Sequence, residues 1–320
     1  MTEDSGWDRR VSGLSDRHRR EVDSSFDDPP ARPVAASVVI VTYRTAREEL
    51  EALVDGLAGQ STDEFETIVV DNGNGWPVDR LVRDLDSLSA YVKLRRNCGV
   101  TVARNIGARI AASDVVVFLD DDAVPGRDFV DAHLRLQDGD IVGVRGRVAT
   151  TEDTFYNRYQ WWYDLGDEPK PYHLNTEGNS SYDREAFLSV GGFDEGLASR
   201  AGHEGTDLTY RLVDSGGYDR DQFMYHPDPV VYHDMDSDPV SYLKKRTTRR
   251  YHRQRLLDRR PGLAEFARSY DDPEADLAVE SYRDRLLAMA FRGLSRLGCR
   301  LIMLKRGVFM RLPLGNRATE

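Results

Sequence analysis

The chain has 320 residues, enough for one large domain with appendages or two small ones. Its 55 acidic side chains outnumber 44 lysines and arginines, giving a formal net charge of −11. That balance lacks the basic footprint of a nucleic-acid binder, so no nucleic-acid partner is expected.

Residues 1–34 are polar, charged and punctuated by Asp27-Asp28-Pro29-Pro30. They are expected to form a flexible lead-in, and they lack the apolar core of a signal peptide. Ser37 to Tyr43 reads as a strand, Ala46 to Gly59 has helical spacing, and Phe65 to Val70 reads as a second strand. The second strand runs into Asp71-Asn72-Gly73-Asn74-Gly75, a turn-rich loop. A weaker strand follows at Tyr91–Arg95, then a helix over Val100–Ala112 and a strand over Asp114–Leu119. A helix from about Arg127 to Leu136 and a strand from Ile141 to Arg147 complete the regular part. Alternating strands and helices predict an α/β fold with a mainly parallel central sheet and covered faces. Beyond residue 150 the pattern turns irregular and aromatic, and from about Ser241 it is helical. The expected division is 35–240 for the α/β domain, with halves at 35–148 and 149–240, and 241–320 for a helical extension.

Asp120, Asp121 and Asp122 close the Asp114–Leu119 strand. Open α/β sheets place ligands at the carboxyl ends of their strands. Side chains alternate across a strand, so Asp120 and Asp122 share one side. Two carboxylates facing one cleft repel each other unless a cation or proton intervenes, and Mg2+ or Mn2+ prefers oxygen donors. A solvated turn capping the next helix accounts equally well for the triplet taken alone.

Four segments in order narrow the choice: Ser37-Val-Val-Ile-Val-Thr-Tyr43, Ile68-Val-Val-Asp-Asn-Gly73, Asn97-Cys-Gly-Val-Thr-Val-Ala-Arg-Asn-Ile-Gly107 and Phe118-Leu-Asp-Asp-Asp-Ala123. Together they resemble the nucleotide-binding half of family 2 glycosyltransferases with the GT-A fold, including archaeal enzymes that build lipid-linked oligosaccharides. The resemblance implies Thr42, Tyr43, Asp71 and Asn72 at the nucleoside, and Asn97 and Arg104 along the diphosphate side. It implies Asp120 and Asp121 at the nucleotide sugar, and Asp120 with Asp122 at a Mg2+ or Mn2+ ion. His233, in Val230-Val-Tyr-His-Asp234, sits where many such enzymes carry a histidine near the metal, and a structural histidine is an equal alternative.

The second half matches as well. Asn175 to Glu195 resembles the family segment ending in Gly-Gly-Phe-Asp-Glu, and His203-Glu-Gly-Thr-Asp-Leu-Thr-Tyr-Arg211 follows it. Family members commonly show Glu-Asp-x-Asp-Leu-x-x-Arg here, with the second acidic residue as catalytic base. Gly205 stands in that position. Glu204 is then the first candidate for the base. Asp207 is the second, with helix capping or pairing with Arg211 as its structural alternative. A base is needed because an attacking hydroxyl must lose its proton, whereas a phosphate acceptor is already ionised.

Lysine occurs only at residues 93, 170, 244, 245 and 305, a surface resembling proteins of high-salt cytoplasm such as that of halophilic archaea. Cys98 and Cys299 lie far apart and suit a reducing compartment. No stretch approaches the roughly 18 uninterrupted apolar residues of a spanning helix, so a cytoplasmic or peripheral protein is expected. The aromatic run Phe155–Tyr163 is expected to pack the core rather than stack on a sugar. From Arg285 to Thr319 there is no acidic residue, and Arg292, Arg296 and Arg300 recur at helical spacing beside Phe291, Leu294, Leu297, Leu301 and Ile302. Residues 285–312 thus read as a basic amphipathic helix for an anionic membrane surface. The function expected is inverting, metal-dependent transfer of a sugar from a nucleoside diphosphate, UDP by family weighting, to a dolichyl- or polyprenyl-phosphate-linked glycan in protein N-glycosylation. Rival readings are a polyprenyl-phosphate hexosyltransferase, a polysaccharide-building transferase and a catalytically silent nucleotide-sugar-binding partner.

Overall fold

The structure, a computed structural model, describes residues 7–137, 139–197, 202–234, 238–270 and 281–305. In chain order the elements begin with helices α1 (Trp7–Ser12) and α2 (Asp16–Glu21) and strand β1 (Val22–Asp27). Next come β2 (Ala36–Thr42), α3 (Arg47–Ala58), β3 (Phe65–Asp71), α4 (Val78–Val82), β4 (Leu88–Leu94), α5 (Val100–Ile110) and β5 (Val115–Asp120). β6 (Val124–Pro125), α6 (Phe129–Leu136), β7 (Gly143–Ala149), α7 (Phe155–Arg158), β8 (Lys170–Pro171), β9 (Asn179–Asp183), α8 (Arg184–Ser189), α9 (Glu204–Asp214) and β10 (Phe223–Tyr232) follow. The extension holds α10 (Pro239–Arg259), α11 (Leu263–Arg268) and α12 (Tyr282–Lys305).

The strands form one sheet in the order β1-β4-β3-β2-β5-β9-β7-β10-β6, with β8 on the flank of β10. Pairs β4–β3, β3–β2 and β2–β5 are parallel, while β9 runs antiparallel between β5 and β7. Every residue of β3 and all but one of β2 are buried, which is why these strands read as unbroken apolar runs rather than alternating ones. One core cluster holds Val39, Ile68, Phe118 and Phe187. A second holds Ile40, Leu53, Val69 and Leu119, so successive strand residues divide between clusters.

The N-terminal segment departs from expectation. Residues 7–27 fold against the body: β1 pairs antiparallel with β4, with Ser25 opposite Val92, and Leu14 is buried. The segment is poor in apolar residues, and its anchors are ionic instead. Arg10 reaches the wholly buried Glu66 at 2.9 Å, and His18 Nε2 meets Glu195 Oε1 at 2.7 Å. A buried carboxylate needs such a partner, and that requirement fixes the segment where hydropathy alone gives no signal.

The aromatic run packs as expected. Phe155, Tyr156 and Tyr159 stack with Tyr242 of α10 and Phe291 of α12. Against α10, α12 buries Ala288, Ser295, Cys299 and Met303, and Arg292 donates to the Tyr159 hydroxyl at 2.8 Å. Its opposite side leaves Leu294, Leu297, Leu301 and Leu304 more than half exposed. Phe291 and Ile302 pack toward the body instead. Residues 306–312 of the expected amphipathic segment lie outside the described residues. Among the described residues, no helix is long and apolar enough to cross a membrane.

Candidate active site

From β2 the chain moves outward through β3 and β4, then returns to β5 on the other side of β2. The carboxyl ends of β2 and β5 therefore flank the point where strand order reverses, the usual ligand crevice of an open α/β sheet. Thr42, Asp71 and Asp120 end β2, β3 and β5 at this edge.

On the nucleoside side, the polar groups are largely bonded to one another. Asp71 is 1 % exposed. Its Oδ1 accepts from the Gly73 and Asn74 backbone N–H groups at 3.0 and 2.9 Å, and its Oδ2 accepts from the Tyr91 hydroxyl at 2.9 Å. Asn72, equally buried, accepts from Cys98 N–H and donates to Asn97 Oδ1. Asn97 in turn accepts from Gly99 N–H, setting the entry of α5. Thr42 accepts from the Asn74 side chain. These residues build the loop's shape and offer few free side-chain atoms to a ligand. Tyr43 is more open, with the Arg44 guanidinium over its ring at 5.2 Å from the centroid.

Asp120 and Asp121 turn in different directions, as strand alternation anticipates for neighbours. Asp121 turns back to β2, accepting from Tyr43 N–H at 3.0 Å and from the Thr45 hydroxyl, and burial pushes its pKa up to about 7. Asp120 faces the cleft and receives Arg104 of α5 at 2.5 Å. β9 runs antiparallel to β5 with Asn179 opposite Leu119, so Gly178 overhangs Asp120. A methyl group at 178 would stand 2.0 Å from the Asp120 Cγ. Only glycine lets this backbone pass.

Asp122 carries a raised pKa, first from its protein surroundings and then from the neighbouring Asp120 and Glu49 charges, opposed by His233. The β6–β10 pairing, Tyr232 opposite Val124, carries His233 to it. His233 Nδ1 lies 3.0 Å from the Asp122 carbonyl oxygen and 3.8 Å from its Oδ1. A donated Nδ1–H leaves Nε2 with its lone pair, the tautomer a metal ligand requires. Among the described residues no three histidine, cysteine or acidic side chains converge to hold an ion. Two donors with an excess of negative charge nevertheless fit a Mn2+-type cation completed by substrate phosphate oxygens.

Arg104 also interacts with Glu204 of α9. Glu204, its first residue, is 2 % exposed, and burial followed by repulsion from Glu177 raises its pKa to about 7, opposed by Arg104 and Arg249. Asp207 is fully buried, with Arg211 at 2.8 Å on one oxygen and Arg260 on the other. Asp207 thus takes its structural alternative, a buried ion pair with two arginines and no exposure to an acceptor. Glu177 and Gly178 were missed in the sequence. No local signal marks them, because Gly178 matters through a strand pairing between residues about sixty positions apart and Glu177 through contacts with the start of α9.

This edge has a known counterpart. Residues 37–193 match the family model described as glycosyl transferase family 2. They form a family 2 glycosyltransferase domain. That domain holds β2 to β5 and the Gly178 overhang, and α9 with His233 lies beyond its matched end. Over 173 residues the chain is 30 % identical to the glucosyl-dolichyl phosphate glucuronosyltransferase of Haloferax volcanii, covering 49 % of this chain and 55 % of that protein. Over 226 residues it is 28 % identical to a pre-mycofactocin glycosyltransferase of Mycobacterium tuberculosis, covering 64 % and 44 %. The chain thus spans about half the length of these curated relatives. In fold, the family 2 domain and its flanks resemble a Pyrobaculum calidifontis mannosyltransferase solved with GDP-Man and Mn2+. The TM-score is 0.55 at 22 % identity, over 91 % of this chain and 92 % of that one. GalNAc-T7, solved with UDP, GalNAc and Mn2+, gives 0.51 at 15 % identity, over 78 % and 54 %. The architecture is the GT-A fold. The similar proteins are glycosyltransferases.

Proposed function

We propose that the chain is an inverting glycosyltransferase that moves a sugar from a nucleoside diphosphate, UDP in our reading, to a dolichyl- or polyprenyl-phosphate-linked glycan of the N-glycosylation pathway. The observation that carries this reading is the carboxyl edge of β5, where Asp120, Asp122 and His233 gather and Arg104 links Asp120 electrostatically to Glu204, whose pKa lies near 7. The Haloferax relative, whose name specifies glucosyl-dolichyl phosphate, supports the acceptor class.

Tyr43 and the Asp71 loop cradle the nucleoside, and Arg104 orients Asp120 toward the donor sugar. Asp122 and His233 would hold a Mg2+ or Mn2+ ion, which would neutralise charge on the departing diphosphate. In the transfer, the acceptor oxygen forms a bond to the anomeric carbon as the bond from that carbon to the diphosphate oxygen breaks. The bonding pair leaves with the diphosphate, and Glu204 receives the acceptor's proton. One direct displacement inverts the anomeric centre.

The exposed leucine ridge of α12, flanked by Arg285, Arg296 and Arg300, seats the protein on an anionic membrane at its cytoplasmic face.

The deciding experiment supplies Mn2+ or Mg2+, a panel of nucleotide sugars and dolichyl-phosphate-linked acceptors, and reads transfer and anomeric configuration. Inverted lipid-linked product is the expected result. Retained nucleotide binding without transfer or donor hydrolysis in any combination would refute the enzyme reading. Transfer to bare polyprenyl phosphate alone would move the acceptor assignment to the lipid itself.

A further inference from the structure

We propose that Glu177 is the positioning residue for Glu204, anchoring the start of α9 through the Gly205 and His203 N–H groups and standing as a second carboxylate beside it. The inference rests on the reading of Glu204 as the acceptor's base.

Glu177 precedes β9 in sequence, yet its carboxylate serves α9. Its Oε1 accepts from Gly205 N–H at 2.8 Å and from His203 N–H at 3.3 Å. It therefore takes the capping place at the start of the helix, where the His203 side chain makes no capping bond. The cap holds a strained turn: His203 has φ 104°, in the left-handed region that a side chain other than glycine's disfavours. Glu204 follows directly, so the backbone that carries its side chain depends on this anchor.

Gly205 is part of the same arrangement. A Cβ there would stand 2.2 Å from the Leu174 carbonyl oxygen and 3.4 Å from Glu177 Cγ. The 174–177 loop thus fills the space beside residue 205, and the carboxylate in that space comes from Glu177. Its charge then acts on Glu204. Facing Glu204 are Glu177 from this loop, Arg104 from α5 and Arg249 from α10. The two guanidinium groups favour the ionised form, while burial and the Glu177 charge favour the protonated one. Glu177 is less buried than Glu204 and accepts from two backbone N–H groups, and the raised pKa is that of Glu204.

Glu177→Gln separates the two roles, because the amide oxygen still accepts from Gly205 N–H while the charge is gone. The measurements are the pH profile of kcat/KM and the carboxyl 13C titration of Glu204, assigned by its disappearance in Glu204→Gln. For Glu177→Gln the acidic limb and the Glu204 titration should both move to lower pH by about one unit, with plateau kcat within about threefold of the parent. Glu177→Ala should add a lower Tm, because the cap is lost. Unmoved limbs in an active Glu177→Gln variant would overturn the proposal. So would loss of transfer at every pH with an unchanged Tm, which would make Glu177 itself the proton acceptor. Full activity of Glu204→Gln would instead defeat the base assignment, and the 13C titration in Glu177→Gln would still report on the coupling.

Discussion

Gly178 lies flat against Asp120, with no space between them for a methyl group. Gly178→Ala should push Asp120 away from Arg104 and weaken nucleotide-sugar binding about tenfold or more, because a misplaced donor group loses its aligned contacts. Isothermal titration with UDP-sugar and Mn2+ reads this directly. An unchanged Kd would show that the Asp120 position is not needed for binding.

Asp122 and His233 supply the protein's share of the proposed cation site. Asp122→Asn and His233→Ala should each weaken Mn2+ binding in the presence of UDP by at least roughly tenfold, measured by Mn2+ electron paramagnetic resonance. In the parent protein, protons compete for Asp122, whose pKa is raised. Mn2+ affinity should therefore fall as pH drops toward the acid range. Equal affinity across the variants would move the site elsewhere.

Glu204→Gln should lower kcat by roughly 10²- to 10⁴-fold with the fold intact. In the parent, the acidic limb of kcat/KM should lie near pH 7, since the base must be ionised to act. The stability effect has the opposite sense. A carboxyl titrating near 7 when folded and near 4.5 when unfolded keeps its proton longer in the folded state, so its contribution to stability is present below pH 4.5 and lost as pH rises to 7. Glu204→Gln should flatten that loss in a urea-denaturation series run against pH.

Asp207→Asn belongs to stability rather than chemistry. It strips the counter-charge from Arg211 and Arg260 at a fully buried position. The expected loss is about 3 kcal/mol by denaturant titration, with donor affinity retained in the folded fraction. A variant as stable as the parent but catalytically dead would restore Asp207 as a candidate base.

Leu297→Glu with Leu301→Glu places charge on the outward ridge of α12, where neither side chain is needed for packing. Flotation with anionic vesicles should show release of the double variant, and Tm should stay within about 2 °C. Removing residues after 284 should have the same effect on flotation. Undiminished binding in both would rule out α12 as the membrane contact.

Wherever neighbours in sequence are also neighbours in the structure, the chain announced its own architecture. The apolar runs at residues 37–43, 65–70 and 114–119 predicted buried parallel strands because such strands are covered on both faces, and β2, β3 and β5 are. Period-two alternation likewise anticipated that Asp121 turns away from Asp120. The Asp207–Arg211 pair was legible as an i, i+4 contact on one helix.

What remained hidden depends on strand pairing across long intervals and on charges compensated at a distance. Residues 7–27 look unstructured by composition, yet Arg10 and His18 are held by Glu66 and Glu195, carboxylates more than fifty residues away. The Asp71 and Asn72 side chains, polar and exposed-looking in sequence, are consumed by the loops they shape. Gly205 reads in sequence only as a missing acid. The tertiary structure supplies the reason: the 174–177 loop occupies that space, and Glu177 brings a carboxylate to it from another part of the chain. Excluded volume and buried charge act through space, so local pattern fixed the sheet and the aspartate edge, while packing alone decided which carboxylates stand together around Glu204.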